Sequence, residues 1–262
     1  MSTSEILALF DRDERQEIEF PHARKDVLPH LIRFVPPEPG MNFVLYTDLD
    51  ESNADAVIEA QVDYFIQLGR PLNWKVFSHD RPADLVQRLA ARGFEVDEPD
   101  AVMVLDIAAA PDSLLAQPLA DIRRLTHRSQ LTDVVAILES VWSENFDWVY
   151  ERLGAHMEIP GYISVYVAYA EDAPASTGWI YFNKGHFASL WGGSTLAAYR
   201  GQGHYTALLA ARAREARERG KRYLTIDAGK MSRPIVARHG FEVITYATDC
   251  TWKPASEDEK VK

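Results

Sequence analysis

The chain has 262 residues, 47% hydrophobic and 26% charged, with a formal net charge of −11, enough for one large core or two smaller ones. The charge argues against general nucleic-acid binding, and no apolar run reaches the ~20 residues that a membrane helix needs. A single cysteine, Cys250, leaves no intrachain disulfide and no cysteine-type zinc site.

In chain order, Asn53–Leu68 is predicted as a helix closed by Gly69, and Leu72–Phe77 as a strand. A helix is expected over Ala83–Arg92, closed by Gly93, with strands from Phe94 and over Val102–Ile107. Residues 109–118, rich in Ala with two prolines, read as a linker. A short strand at Asp121–Leu125 and a helix at Ser129–Trp142 follow, then the aromatic stretch Trp142, Phe146, Trp148 and Tyr150. Strands are predicted at Tyr162–Ala170, Gly178–Phe182 and Phe187–Trp191, with a turn at 171–174. A helix from His204 to Arg219, stopped by Gly220, leads to a strand at Arg222–Asp227. A short helix at Ser232–His239, with Ser232 as its N-cap and Pro234 in its first turn, precedes a strand over Phe241–Thr248. Asp249–Lys253 is expected to return antiparallel, and the tail from Ala255 is expected to be disordered.

Two features suggest a divided chain. Ala91-Arg92-Gly93-Phe94-Glu95-Val96 resembles Ala237-Arg238-His239-Gly240-Phe241-Glu242-Val243, each between a helix end and a strand start, which reads as an internal duplication. Residues 1–118 hold 22 acidic and 10 basic side chains, a net −12, whereas 119–262 hold 17 and 18, a net +1. The expected domains are therefore 1–118 and 119–262. The basic run from Arg200 to Arg238 would favour a phosphate-bearing ligand, or form a solvated helix face.

The sharpest local signal is Tyr199-Arg200-Gly201-Gln202-Gly203-His204-Tyr205. Glycines between an extended segment and a helix let the backbone approach a ligand. The unpaired amides and the dipole of the following helix favour an anion, and Arg200 adds a charge that a diphosphate accepts. No Gly-Lys-Ser/Thr follows, so this is not a Walker loop, and a third glycine for a dinucleotide fingerprint is missing.

From about Leu119 to Pro254 the order of elements resembles the GNAT superfamily of acyl-CoA N-acyltransferases. Arg200 and Gly203 match the family pattern Arg/Gln-x-x-Gly-x-Gly/Ala, and Tyr205 departs from its last position. The resemblance implies an α/β (mixed α+β) fold of two GNAT-like units, each a mostly antiparallel mixed sheet flanked by helices, the first unit lacking a cofactor loop. It implies acetyl-CoA as cosubstrate, held by Ser194, Thr195, Leu196, Arg200, Gly201, Gln202, Gly203, His204, Tyr205 and Ser232, with no metal. A strand N–H near Leu196 would polarise the thioester carbonyl. Val236 occupies the position where the family often has a proton-donating tyrosine, leaving His239, Tyr246 and Ser232 as substitutes. Glu144 and Asp147, among the aromatics, are candidates for taking the amine proton. The implied function is N-acetylation of a small-molecule or amino-acid amine, with no nucleic-acid or membrane partner and a homodimer left open. The alternative is a scaffold that binds CoA without catalysis. The start Met1-Ser2-Thr3-Ser4-Glu5 has no basic region, so no signal peptide is expected, and with the single cysteine a cytoplasmic protein is the expectation.

Overall fold

The computed structural model describes residues 1–38, 40–116 and 120–254. The expected domain boundary at Pro118 and Leu119, the linker's last residues and the tail from Ala255 lie outside them. In chain order the elements are α1 (Thr3–Phe10), a π-helical turn (Asp11–Gln16), β1 (Arg24–Leu28), β2 (Leu31–Val35), β3 (Asn42–Thr47), α2 (Ala54–Leu68), β4 (Leu72–Phe77), α3 (Leu85–Ala91), β5 (Glu95–Val96) and β6 (Asp100–Asp106). There follow α4 (Asp112–Leu115), β7 (Asp121–Arg124), α5 (Leu131–Trp142), α6 (Trp148–Met157), β8 (Ile163–Ala170), β9 (Ala173–Tyr181), β10 (Phe187–Thr195), α7 (His204–Glu218), β11 (Tyr223–Ala228), α8 (Arg233–Ala237) and β12 (Glu242–Trp252).

The described residues form two compact units that interleave in sequence. The first takes Met1–Val102, Asp227–Lys230 and the residues from Val243 on; the second takes Met103–Ile226 and Met231–Glu242. A single cut near residue 118 does not reproduce this division, because β12 from Val243 onward belongs to the first unit.

In the first unit the strand order is β1-β2-β3-β4-β12. β3 and β4 are parallel, with α2 in the connection between them, and the other pairs are antiparallel. Trp74, Phe65, Ile58 and Leu72 are fully buried in its main core. The strand expected to end at Thr248 runs unbroken to Trp252, and no antiparallel return occurs there. Asp249 stays in that strand because its register partner is Lys75 on β4, whose Nζ bonds Asp227. Cys250 on the same strand is fully buried, and burial, then the neighbouring Asp249, pushes its thiol up to about 12. Folded protein at pH 8 should therefore resist iodoacetamide, while urea-unfolded protein reacts within minutes; mass spectrometry reads the difference.

The second unit orders β11-β10-β9-β8-β7, with β10 and β11 parallel and the remaining pairs antiparallel. α5 presents Leu131, Val134, Val135, Ile137 and Leu138 to a core shared with Val165, Val167 and Trp179. The β8–β9 turn uses Glu171 and Asp172, both at positive φ (49° and 63°), the conformation of a tight two-residue hairpin. That turn pairs Ala170 with Ala173, so β9 begins five residues before the predicted Gly178.

The repeated Gly-Phe corners have the same backbone geometry. Gly93 (φ 85°) and Gly240 (φ 91°) are left-handed. Phe94 N–H donates to Leu89 O at 3.2 Å and Phe241 N–H to Val236 O at 3.4 Å, the long bond of a Schellman helix end.

Candidate active site

The site begins with a defect in β10. Its register with β9 runs Ser189↔Tyr181, Leu190↔Ile180 and Trp191↔Trp179, then resumes at Ser194↔Thr177, so Gly192-Gly193 inserts one extra residue. Gly192 sits at φ 63°, and a Cβ there would lie 1.9 Å from Cζ3 of Trp179. A Cβ on Gly193 would lie 2.8 Å from Cε2 of Tyr205. Two bulky rings thus fill the space that the glycines leave.

A buried arginine stabilises the irregularity. Arg212 of α7, 1% exposed, donates from one guanidinium nitrogen to Trp179 O (3.3 Å) and Trp191 O (3.4 Å), the carbonyls of the last register pair before the bulge. Its Nε bonds Leu208 O one turn back. Burial lowers its pKa from the usual arginine value. The basic run read from sequence is thus partly structural. Besides Arg212, Lys221 bonds the carbonyls of Asn183 and Gly185, and Arg219 pairs with Glu215 at 2.6 Å.

On its other edge β10 follows β11 only from Phe187↔Tyr223 to Ser189↔Thr225. Beyond Ser189 its path is set by β9, and the edge toward β11 is left open. Leu196 N–H already donates to Ala175 O at 3.0 Å, so this amide cannot polarise a carbonyl. Strand alternation turns the backbone of Thr195 the opposite way, and Arg200 Nε reaches Thr195 O at 3.2 Å. By the same alternation Thr195 N–H faces the open edge. The Ser194 side chain is engaged, its Oγ accepting from Trp142 Nε1 at 3.1 Å, while Ser176 Oγ donates to Ser194 O.

A 3₁₀ turn at Ala197–Tyr199 leads into the loop. Arg200 is extended, Gly201 has φ 76°, and Gly203 is the N-cap of α7 at φ 86°, ψ −3°. No side chain caps this helix, and its first internal bond is Ala207 N–H to Gly203 O at 2.9 Å. The amides of Gly203, His204, Tyr205 and Thr206 have no carbonyl one turn back to accept them. A Cβ on Gly201 or Gly203 would meet nothing, so these glycines serve their backbone angles and an open approach. Gln202 braces the loop from outside through Nε2 to Ala198 O at 2.9 Å. The ring of His204 packs edge-on to Tyr199, and its Nδ1 is buried without a hydrogen-bond partner. Burial raises the Tyr205 phenol.

The other expected residues are less concentrated. Ser232 occupies the N-cap of α8, as expected, but makes no side-chain capping bond. Val236 is fully buried. His239 Nε2 lies 3.3 Å from Thr206 Oγ1 in the first turn of α7, and burial lowers its pKa. Glu144 and Asp147 are exposed; Asp147 precedes α6 and pairs with Asn145 through two hydrogen bonds. Tyr246 belongs to the first unit, where its carbonyl accepts from Ser78 N–H at 2.8 Å.

Sequence reading missed the bulge glycines, the Trp142–Ser194 bond and the Arg212 brace. Adjacent glycines inside a β-branched and aromatic strand were the available signal for the first. The other two join residues far apart in the chain.

Residues 127–241 match the family model of the GNAT acetyltransferases. This segment is a GNAT-family domain. The matched GNAT segment contains the bulge, the open strand edge and the glycine loop. No curated protein matches the chain by sequence. Among solved structures, it is similar to a GCN5-related N-acetyltransferase from Kribbella flavida at 15% identity, covering 99% of this chain and 97% of that one, with a TM-score of 0.69. A conserved protein from Staphylococcus epidermidis of unknown function shows 14% identity, 90% and 96% coverage and a TM-score of 0.69. A tandem GNAT protein from the clavulanic acid biosynthesis pathway shows 16% identity, 92% and 86% coverage and a TM-score of 0.62. At such identities these likenesses concern the fold, which is thus shared by nearly the whole chain and not by the GNAT segment alone. Among the described residues no helix is long and apolar enough to cross a membrane, and no group of His, Cys, Asp or Glu is arranged to hold a metal ion.

Proposed function

We propose that the chain moves an acetyl group from acetyl-CoA to the amine of a small molecule or amino acid. The observation that carries this reading is the uncapped start of α7 at Gly203, next in sequence to a strand whose edge toward β11 lies open. The first-turn amides and Arg200 fit a diphosphate. Ser194, Thr195 and Leu196 would line the thioester arm along β10. The cosubstrate supplies an activated acyl group and a thiolate leaving group. Thr195 N–H is placed to donate to a carbonyl oxygen on the open edge, in the manner of an oxyanion donor. Glu144 and Asp147, beside the exposed Trp142, would attract a cationic amine and take its proton through water.

A second reading, a CoA-binding scaffold without turnover, is favoured by Val236, since an apolar buried residue cannot return a proton to sulfur. His239 does not simply replace it. Burial lowers its pKa and so favours the neutral imidazole, which suits proton acceptance better than donation. Tyr246 stays a candidate that Tyr246→Phe would test.

Thiol release from acetyl-CoA across an amine panel, run beside thermal shift with CoA, separates the two readings. Stabilisation with turnover supports the enzyme, whereas stabilisation with no thiol release on any amine supports the scaffold. On a productive amine, the double variant Glu144→Gln, Asp147→Asn should lose about 100-fold in kcat/KM with little change in Tm. Unchanged kcat/KM removes both residues from the proton path.

A further inference from the structure

On the face of the second unit where α7 crosses β7 and β8 lies a pocket of about 230 Å3, lined by Ile122, Arg124, Tyr166, Ala211, Arg214, Glu215 and Glu218. Its charges are not equivalent. Glu215, 8% exposed, is saturated: it accepts from Ser164 Oγ (2.8 Å), Tyr166 OH (2.7 Å) and Arg219 (2.6 Å). Arg124 stands 3.7 Å from the same carboxylate and is half exposed. Glu215 and Tyr166 therefore form a fixed polar wall, satisfied from within the protein.

Arg214 and Glu218 differ. They are one helical turn apart on α7, the spacing at which opposite charges normally pair. Among the described residues neither side chain has a hydrogen-bond or ion-pair partner; Glu218 is exposed, whereas Arg214 is half-buried and its Nε is buried without a partner. A buried, unmet guanidinium donor is costly. The pocket that Arg214 lines also holds the exposed carboxylate of Glu218, a second arginine at its edge and the apolar side chains of Ile122 and Ala211. A simple anion would satisfy the arginines but meet Glu218, and a simple cation would do the reverse.

We propose that this pocket binds a small zwitterion, an α-amino acid, with its carboxylate on Arg214 and Arg124, its ammonium on Glu218, and an aliphatic side chain against Ile122 and Ala211. Arg214 lies eleven residues along α7 from the Gly203 loop, about 16 Å by helical rise. The site is therefore separate from the proposed thioester site and does not depend on it.

The test is calorimetry and thermal shift on the full chain without CoA, using L-leucine, N-acetyl-leucine and leucinamide at about 10 mM. L-leucine should bind and raise Tm by a few degrees, while the two derivatives, each lacking one charge, should not. Arg214→Gln and Glu218→Gln should each weaken L-leucine binding at least about tenfold while leaving the CoA-induced shift intact. No heat with L-leucine, equal binding of all three compounds, or unchanged affinity in both variants would overturn the proposal.

Discussion

Replacing Gly203 with valine will abolish stabilisation by CoA while leaving the chain folded. The backbone at this N-cap stands at φ 86°, where an L side chain is strained, although a Cβ would meet no atom within 4 Å. The variant is thus expected to lose about 1–3 kcal/mol through backbone strain alone. To relieve that strain the first turn of α7 must rotate, and the amides of Gly203, His204, Tyr205 and Thr206 then cease to converge. Arg200→Glu removes the charge without touching the turn and should weaken CoA by about 10–100-fold. Gly203→Asn is the control, since asparagine tolerates left-handed angles. It should keep more of the wild-type Tm than valine does. Calorimetry with CoA and with acetyl-CoA checks all three. Undiminished binding by both Gly203→Val and Arg200→Glu would place the diphosphate elsewhere.

Gly192→Ala is expected to be the most damaging single-methyl substitution in the second unit. Its Cβ would lie 1.9 Å from Cζ3 of Trp179 and 2.1 Å from Cη2, on a backbone already at φ 63°. Trp179 cannot swing away freely, because it is 5% exposed and packed in the core with Val165, Val167 and α5. Overpacking and strain together should cost about 2–4 kcal/mol, a Tm loss of about 5–10 °C for a chain of this size. Any acyl-transfer activity should fall by more than about 100-fold, since the bulge sets the course of β10 beyond Ser189. Pairing the change with Trp179→Leu should restore part of the stability but not the activity. A double-mutant cycle reads the coupling. Wild-type Tm in Gly192→Ala would show that β10 can close its bulge at little cost.

These effects fall on glycines that differ in how readily they could be read. Gly201 and Gly203 are visible because they flank one residue between a strand and a basic helix, a pattern with a direct backbone meaning. Gly192 and Gly193 carry equal weight in the structure, but their meaning depends on Trp179 and Tyr205, which are adjacent only after folding. Arg212 falls under the same limit. In the sequence it is one cation among ten; in the fold it is a buried clamp on two carbonyls. The helix over 54–68 and its Gly69 stop were legible because periodicity and a left-handed cap agree locally. The end of β12 was not, since Asp249 looks like a turn residue until Lys75 is placed opposite it. Of the candidate site, the left-handed turn at Gly201 and Gly203 before α7 could be anticipated. The acid and base could not, because exposure and hydrogen bonding decide those roles.

The path of β12 bears on how the protein can be made. Residues 1–102 leave the ribosome well before the strand that pairs with β4 has been synthesised. Until residues 243–252 emerge, Trp74 and its neighbours lack Cys250 and Trp252, members of the same core. The usual order, in which an amino-terminal unit matures first during translation, is closed to this chain. A stop codon near residue 240 should therefore leave the earliest-made part unfinished, and pulse proteolysis of stalled nascent chains would show it.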